Sequence, residues 1–133
     1  MNGHRLAGWS AGAVVAAAVG TGLVLSGSPL EQRLEHRDGR RVDDLRELAG
    51  AIERYRERHD SLPSDLRSLL DGRIMSNLPE DPDGRPYEYA RAAAGSYELC
   101  ARFERESVAL ATDFWTHPSE RHCFAFDAPT AEP

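Results

Sequence analysis

The chain has 133 residues and a formal net charge of −6, with 16 basic residues against 22 acidic ones. That length holds one small cored domain plus an anchor and is too short for two cored domains. The acidic balance argues against a nucleic-acid partner, because a phosphate-binding surface needs a basic excess.

After a short tail over 1–5, the 25 residues from Leu6 to Leu30 carry no charge. About 20 apolar residues in a helix span a bilayer, so this stretch predicts a transmembrane anchor in contact with membrane lipid. Ala, Gly and Ser fill 14 of the 25 positions, so the segment is only moderately apolar. A cleaved signal peptide, cut near Val24-Leu25-Ser26, is the alternative, although its apolar core would be shorter. Gly8, Gly12, Ala16 and Gly20 recur every four residues and form a small-residue stripe suited to close helix packing. Arg33, Arg37, Arg40 and Arg41 follow the span while only His4 and Arg5 precede it, which by itself places the C-terminal part in the cytoplasm.

Gly27-Ser28-Pro29 interrupts the run, and helix is expected again from near Leu30. Val42, Leu45, Leu48, Ala49, Ile52 and Tyr55 follow the three/four spacing of one helical face. Arg46, Glu47, Glu53, Arg54 and Glu57 make the opposite face solvated. Asp60, Ser61 and Pro63 end the helix near His59. A short second helix is expected over Ser64–Leu70, with Ser64 as N-cap and Leu66, Leu69 and Leu70 turned inward.

Pro79, Pro82, Gly84 and Pro86 then block helix, and Asp81-Pro82-Asp83-Gly84 has turn chemistry. Strands are expected over Tyr87–Arg91, Ser96–Glu104 and His122–Asp127, with a turn at Ala92–Gly95. In the second strand Tyr97, Leu99, Ala101 and Phe103 share an inner face, and Glu98, Cys100, Arg102 and Glu104 the outer one. Phe124 and Phe126 should pack against the Leu45–Tyr55 stripe. The predicted fold is α+β: an N-terminal transmembrane helix, then an amphipathic helix on a three-stranded antiparallel sheet. The domain runs over 31–127, and 128–133 reads as a disordered tail.

The two cysteines, Cys100 and Cys123, both fall on the outer face. An even count behind an export-type segment favours a disulfide in an oxidising compartment. Free thiols, or a zinc site with His117 and His122, remain alternatives, although paired C-x-x-C spacing is absent. The cysteines therefore oppose the orientation drawn from the arginines, and an extracytoplasmic domain is the expectation adopted. Within the loop 105–121, whose structure the pattern does not specify, Phe114 and Trp115 are candidates for partner binding, or a lid on the sheet. Neither Ser119, His122 and Asp127 nor His59-Asp60-Ser61 sits in a nucleophile-elbow context, so no catalytic residue and no cofactor is assigned.

The order of these features resembles a family. The apolar N-terminal run, the amphipathic helix, Tyr55-x-x-x-His59-x-x-Leu62-Pro63 and Leu66-x-x-Leu69 resemble the globular start of bacterial type IV pilin-like proteins. Asp81-Pro82-x-Gly84-x-Pro86-Tyr87-x-Tyr89 resembles the same group's entry into its sheet, most of all in the major pseudopilins of type II secretion. The resemblance covers roughly Val42–Phe103. It implies a bacterial inner-membrane protein with an extracytoplasmic, non-catalytic domain that meets other envelope proteins or copies of itself. The glutamate that pilins carry inside their apolar run is missing, and with it the prepilin processing motif, so a stand-alone anchored domain is implied. Calcium binding in a sheet loop is a further family implication, for which Asp81, Asp83 and Asp113 are the weak candidates. The alternative functions are an anchored or secreted module binding a small molecule or calcium, and a small hydrolase.

Overall fold

The computed structural model describes residues 12–22, 28–107 and 113–127. The chain divides into two compact units, Met1–Leu34 and Glu35–Pro133. In the first, helix α1 occupies 12–22, exposed throughout. No helix among the described residues is long and apolar enough to cross a membrane. The span expected over Leu6–Leu30 is described only in part. The tail 1–5, Gly8, the Val24-Leu25-Ser26 cleavage position and the tail 128–133 lie outside the described residues.

Helix α2 runs Pro29–His59. Its start is a capping box. The Glu31 N–H donates to Ser28 Oγ at 3.2 Å and the Ser28 N–H donates to Glu31 Oε2 at 3.1 Å. Pro29 occupies the first helical position, where its missing N–H costs nothing. The residues that read as an interruption are thus a restart signal. At the other end Asp60 adopts a left-handed conformation and its N–H donates to the Arg56 carbonyl at 2.8 Å.

The segment Leu66–Leu69 forms a single 3-10 turn, not the longer helix expected from Ser64. The cap is Asp65, whose carboxylate accepts the Ser68 N–H at 2.9 Å, while Ser64 bonds only the Ser68 hydroxyl at 3.1 Å. An ionised carboxylate is the stronger acceptor, and it shifts the start by one residue. Leu69 is buried and Leu66 partly so, but Leu70 is exposed, because the turn ends before the chain can aim it inward.

Three strands follow: β1 (Glu88–Arg91), β2 (Tyr97–Phe103) and β3 (Glu120–Phe126). They form an antiparallel meander in the order β1-β2-β3. Gly84 closes the turn into β1 with a positive φ of 73°, and its N–H donates to the Asp81 carbonyl at 2.7 Å. A Cβ-bearing residue reaches that conformation only at a cost. Gly95, also at positive φ, serves the β1–β2 turn.

Helix α2 packs on the inner face of the sheet. Leu45, Leu48 and Ile52 are fully buried against Tyr97, Leu99, Phe103 and Phe124. Tyrosine hydroxyls pin the two layers together. Tyr87 donates to Asp44 at 2.6 Å, Tyr97 to Glu53 at 3.4 Å, and Tyr89 to the Pro63 carbonyl at 2.9 Å. The tyrosines thus fill the core and satisfy their polar tips at its edge.

On the outer face Cys100 opposes Cys123 in register, and the two form a disulfide with Cα atoms 4.0 Å apart. No thiolate is left for the zinc site considered above. Cys100 is buried despite its outer-face position, because Arg121 lies over it with Nη2 3.5 Å from Sγ and pairs with Glu88 at 2.7 Å. A Cys100→Ala/Cys123→Ala chain is predicted to lose about 2–4 kcal/mol of stability in denaturant titration while keeping its far-UV circular dichroism.

Candidate functional site

The apolar stripe of α2 continues toward its N-terminus with two charged residues, Asp38 and Arg41, both buried. They are the centre of the most polar buried region described. Arg41 is 1% exposed and clamps Asp81 bidentately, through Nε at 2.7 Å and Nη2 at 3.1 Å. Its Nη1 donates to Asp38 at 2.7 Å and its Nη2 to Asp83 at 2.8 Å. Arg37 pairs with Asp83 and, at 3.0 Å, with Glu104. Asp38 in turn accepts the backbone N–H groups of Glu104 at 3.0 Å and Arg105 at 2.9 Å, where the chain leaves β2. One guanidinium thus joins the helix to the turn before β1, and one carboxylate joins the helix to the end of β2.

The electrostatics follow from that geometry. Burial works against the charge on Asp81. The hydrogen bonds from Arg41 and from the Asp83 N–H outweigh it and hold the carboxyl below its usual range. Burial also opposes the Arg41 charge, and the bonds to Asp81 and Asp38 overcome it, so its pKa rises. Tyr87 nearby is pushed up by burial and by its bond to Asp44.

Asp81 and Asp83, two of the three calcium candidates, therefore spend their oxygens on guanidinium groups. Asp113 is used differently: its carboxylate accepts the Trp115 N–H at 3.2 Å. The structure does not bring the three together. Among the described residues the one group of metal-type donors is Glu98, Cys100 and Cys123, and its two sulfurs are already bonded to each other.

Beside this network lies an open groove of about 610 Å³, lined by Glu35, Asp43, Arg46, Ser107, Trp115 and His117 among others. His117 is buried, with its ring stacked on Phe103 at a centroid distance of 3.5 Å. Its Nδ1 lies 3.1 Å from the Pro118 carbonyl, which can only accept, so the proton sits on Nδ1. Ser107 Oγ accepts the His117 backbone N–H at 2.9 Å and donates to the His117 carbonyl at 3.2 Å. The serine thus bonds the histidine backbone and not its imidazole, an arrangement that closes a loop and lacks the hydroxyl–imidazole contact of an activated nucleophile. His59, at the end of α2, stacks on Tyr55 at 4.0 Å and bonds the Tyr55 carbonyl, while Ser61 donates to the His59 carbonyl. A second open groove of about 810 Å³ runs past Leu48, Leu66, Arg67, Tyr87 and Tyr89.

Phe114 and Trp115 part company. Trp115 packs on Phe124 at 4.9 Å and on Phe126 at 6.0 Å, with the Arg46 guanidinium 5.3 Å from its ring centroid. It is a lid on the part of the inner face, over β3, that α2 leaves uncovered. Phe114 stacks edge-on against Trp115 and Phe126 but stays 52% exposed, which leaves it open to a partner. Gly12, Ala16 and Gly20 lie on α1, and a Cβ added at Gly12 or Gly20 meets nothing within 4 Å.

The Asp38–Arg41 pair was missed as a site from sequence, yet a signal was present. The positions 38, 41, 42 and 45 keep the spacing of the buried stripe, and a charge that falls on such a stripe must find a counter-charge.

A scan against protein-family models, a search of curated proteins and a search of solved structures return no match to this chain.

Two outcomes follow from the site. Trp115→Ala should cost about 2–4 kcal/mol of stability, near the range for large aromatic truncations, whereas Phe114→Ala should stay within about 1 kcal/mol. Thermal melts of the two variants separate a packed lid from an exposed contact. For pH, burial and then the charge of His117 hold His122 below its ordinary value. The unfolded chain therefore takes up the His122 proton first, and stability falls as pH drops below about 6.5. Asp81, held low, contributes stability above the ordinary carboxylate range that is lost as pH falls below about 4. Both signs agree, so the melting temperature should rise with pH in two steps, and His122→Asn should remove the upper one.

Proposed function

We propose that the chain is a single-pass, membrane-anchored protein of the bacterial cell envelope whose pilin-like domain lies outside the cytoplasm and works through protein contacts. The observation that carries this reading is the disulfide between Cys100 and Cys123, which persists in an oxidising compartment. The helix-on-sheet architecture agrees with the expectation drawn from the pilin-like motifs. The anchor rests on the uncharged run Leu6–Leu30, within which Val14, Val15 and Val19 are all more than half exposed. Exposed valines along a helix are suited to lipid.

The contact chemistry is non-catalytic. The domain directs its buried charges to holding its own layers together and presents an exposed phenylalanine next to the groove that Asp113 and Trp115 line. It acts as an accessory or structural component of an envelope or secretion assembly, with other envelope proteins or further copies of itself as partners. A missing glutamate in the apolar run favours an anchored domain over a processed filament subunit.

Intact cells treated with a membrane-impermeant maleimide, with and without reductant, test this reading by gel shift. Labelling that appears only after reduction supports an oxidised, extracytoplasmic domain. Free thiols reached only after lysis would place the domain in the cytoplasm, as the arginine distribution suggests, and would overturn the proposal.

A further inference from the structure

The two edges of the sheet are protected unequally. β1 is four residues long, and both edge strands have a proline two residues before their start, Pro86 and Pro118. β3 is seven residues long, with no proline or lysine in Glu120–Phe126. Short strands, prolines and charged side chains are the common ways of blunting an edge against further strand pairing, and in β3 the charges are confined to its first two residues, Glu120 and Arg121, leaving His122–Phe126 without them.

The disulfide fixes which backbone groups of β3 point outward. Directly opposed Cα atoms in an antiparallel pair lie about 4.5 Å apart at non-hydrogen-bonded positions and about 5.5 Å apart at hydrogen-bonded ones. Cys100 and Cys123, at 4.0 Å, are a non-hydrogen-bonded pair. Phe124 and His122 therefore bond to β2, whereas Arg121, Cys123 and Ala125 direct their N–H and C=O groups away from the sheet. Among the described residues none of these outward groups has a backbone partner.

We propose that this edge pairs with the same edge of a second copy, antiparallel about a two-fold axis at Phe124, to build a continuous six-stranded sheet. Charge selects both the occupant and the register. With Phe124 opposite Phe124 of the second copy, Cys123 faces Ala125 and Arg121 faces Asp127, each contact made twice by symmetry. All the outward groups of Arg121, Cys123 and Ala125 then find partners. Asp127 is exposed and has no ion-pair partner among the described residues. Arg121 is held by Glu88 in a pair more than half exposed on both sides, and such pairs are weak, so the guanidinium can exchange Glu88 for Asp127 of the second copy, giving up its cover of Cys100. On the inner face the register sets His122 against Phe126 of the second copy, which extends the aromatic row that Phe114 flanks. Opposite charges and aromatic pairs directly across strands are the favourable combinations. The pairing depends on neither the anchor nor the compartment, so its failure leaves the labelling result untouched.

Sedimentation velocity of the full chain in detergent micelles, over a range of concentrations, tests it. Wild type should form a concentration-dependent dimer. Ala125→Pro removes an outward N–H without touching the β2 ladder and should give monomer with the disulfide and circular dichroism intact. Asp127→Arg should also give monomer, and the charge-swapped Arg121→Asp/Asp127→Arg chain should recover the dimer. A wild type that stays monomeric overturns the proposal. So does a dimer that neither Ala125→Pro nor Asp127→Arg dissociates, which would place association outside β3, and a swapped chain that remains monomeric overturns the register.

Discussion

Arg41 is the side chain on which the arrangement of the domain depends. A guanidinium 1% exposed is tolerated only when its donors are met, and here they meet Asp38 on its own helix and Asp81 and Asp83 in the turn that feeds β1. Asp38 passes the constraint on by holding the backbone as it leaves β2. The helix is thereby fixed in rotation as well as in position, because a shift of one residue would bury an unpaired charge. Apolar packing of Leu45, Leu48 and Ile52 on the sheet supplies cohesion but much less direction.

The same network explains the turn chemistry. Asp81 accepts the Asp83 N–H at 2.8 Å while its carboxylate also receives Arg41. A residue that reads as an ordinary turn former is thus both a turn former and the far end of a cross-link to the helix. Two arginines face four carboxylates there, and each of the carboxylates is met by at least one guanidinium. On the outer face of the same sheet the disulfide and the Arg121–Glu88 pair cover the side that α2 does not touch. The two edge strands differ in how they are finished, and β3 carries the more reactive edge.

Much of the fold was legible because its signals are local and periodic. The three/four spacing of Val42 to Tyr55 marks the buried face of α2, and the alternation of Tyr97 to Phe103 marks the inner face of β2. Boundaries moved where a cap decided them: Asp65 outcompeted Ser64, and Ser28 with Glu31 turned an apparent break into a helix start. The Arg41 site was not read, since Asp38, Asp81 and Glu104 lie far apart in the chain and only the tertiary fold brings them together. The loop 105–121 was opaque for a related reason. Its described parts are held by the Ser107–His117 contact and by Trp115 meeting Phe124, and neither leaves a pattern in sequence.

The most direct test of this account is the unfolding free energy of Arg41→Met beside that of Arg41→Met combined with Asp38→Leu and Asp81→Leu. If the network orients the fold, the single substitution strands buried carboxylates and costs about 3–5 kcal/mol, while the combined chain recovers much of that loss by replacing charge with packing. A single variant as stable as wild type would contradict the account, for the helix would then be held by its apolar face alone.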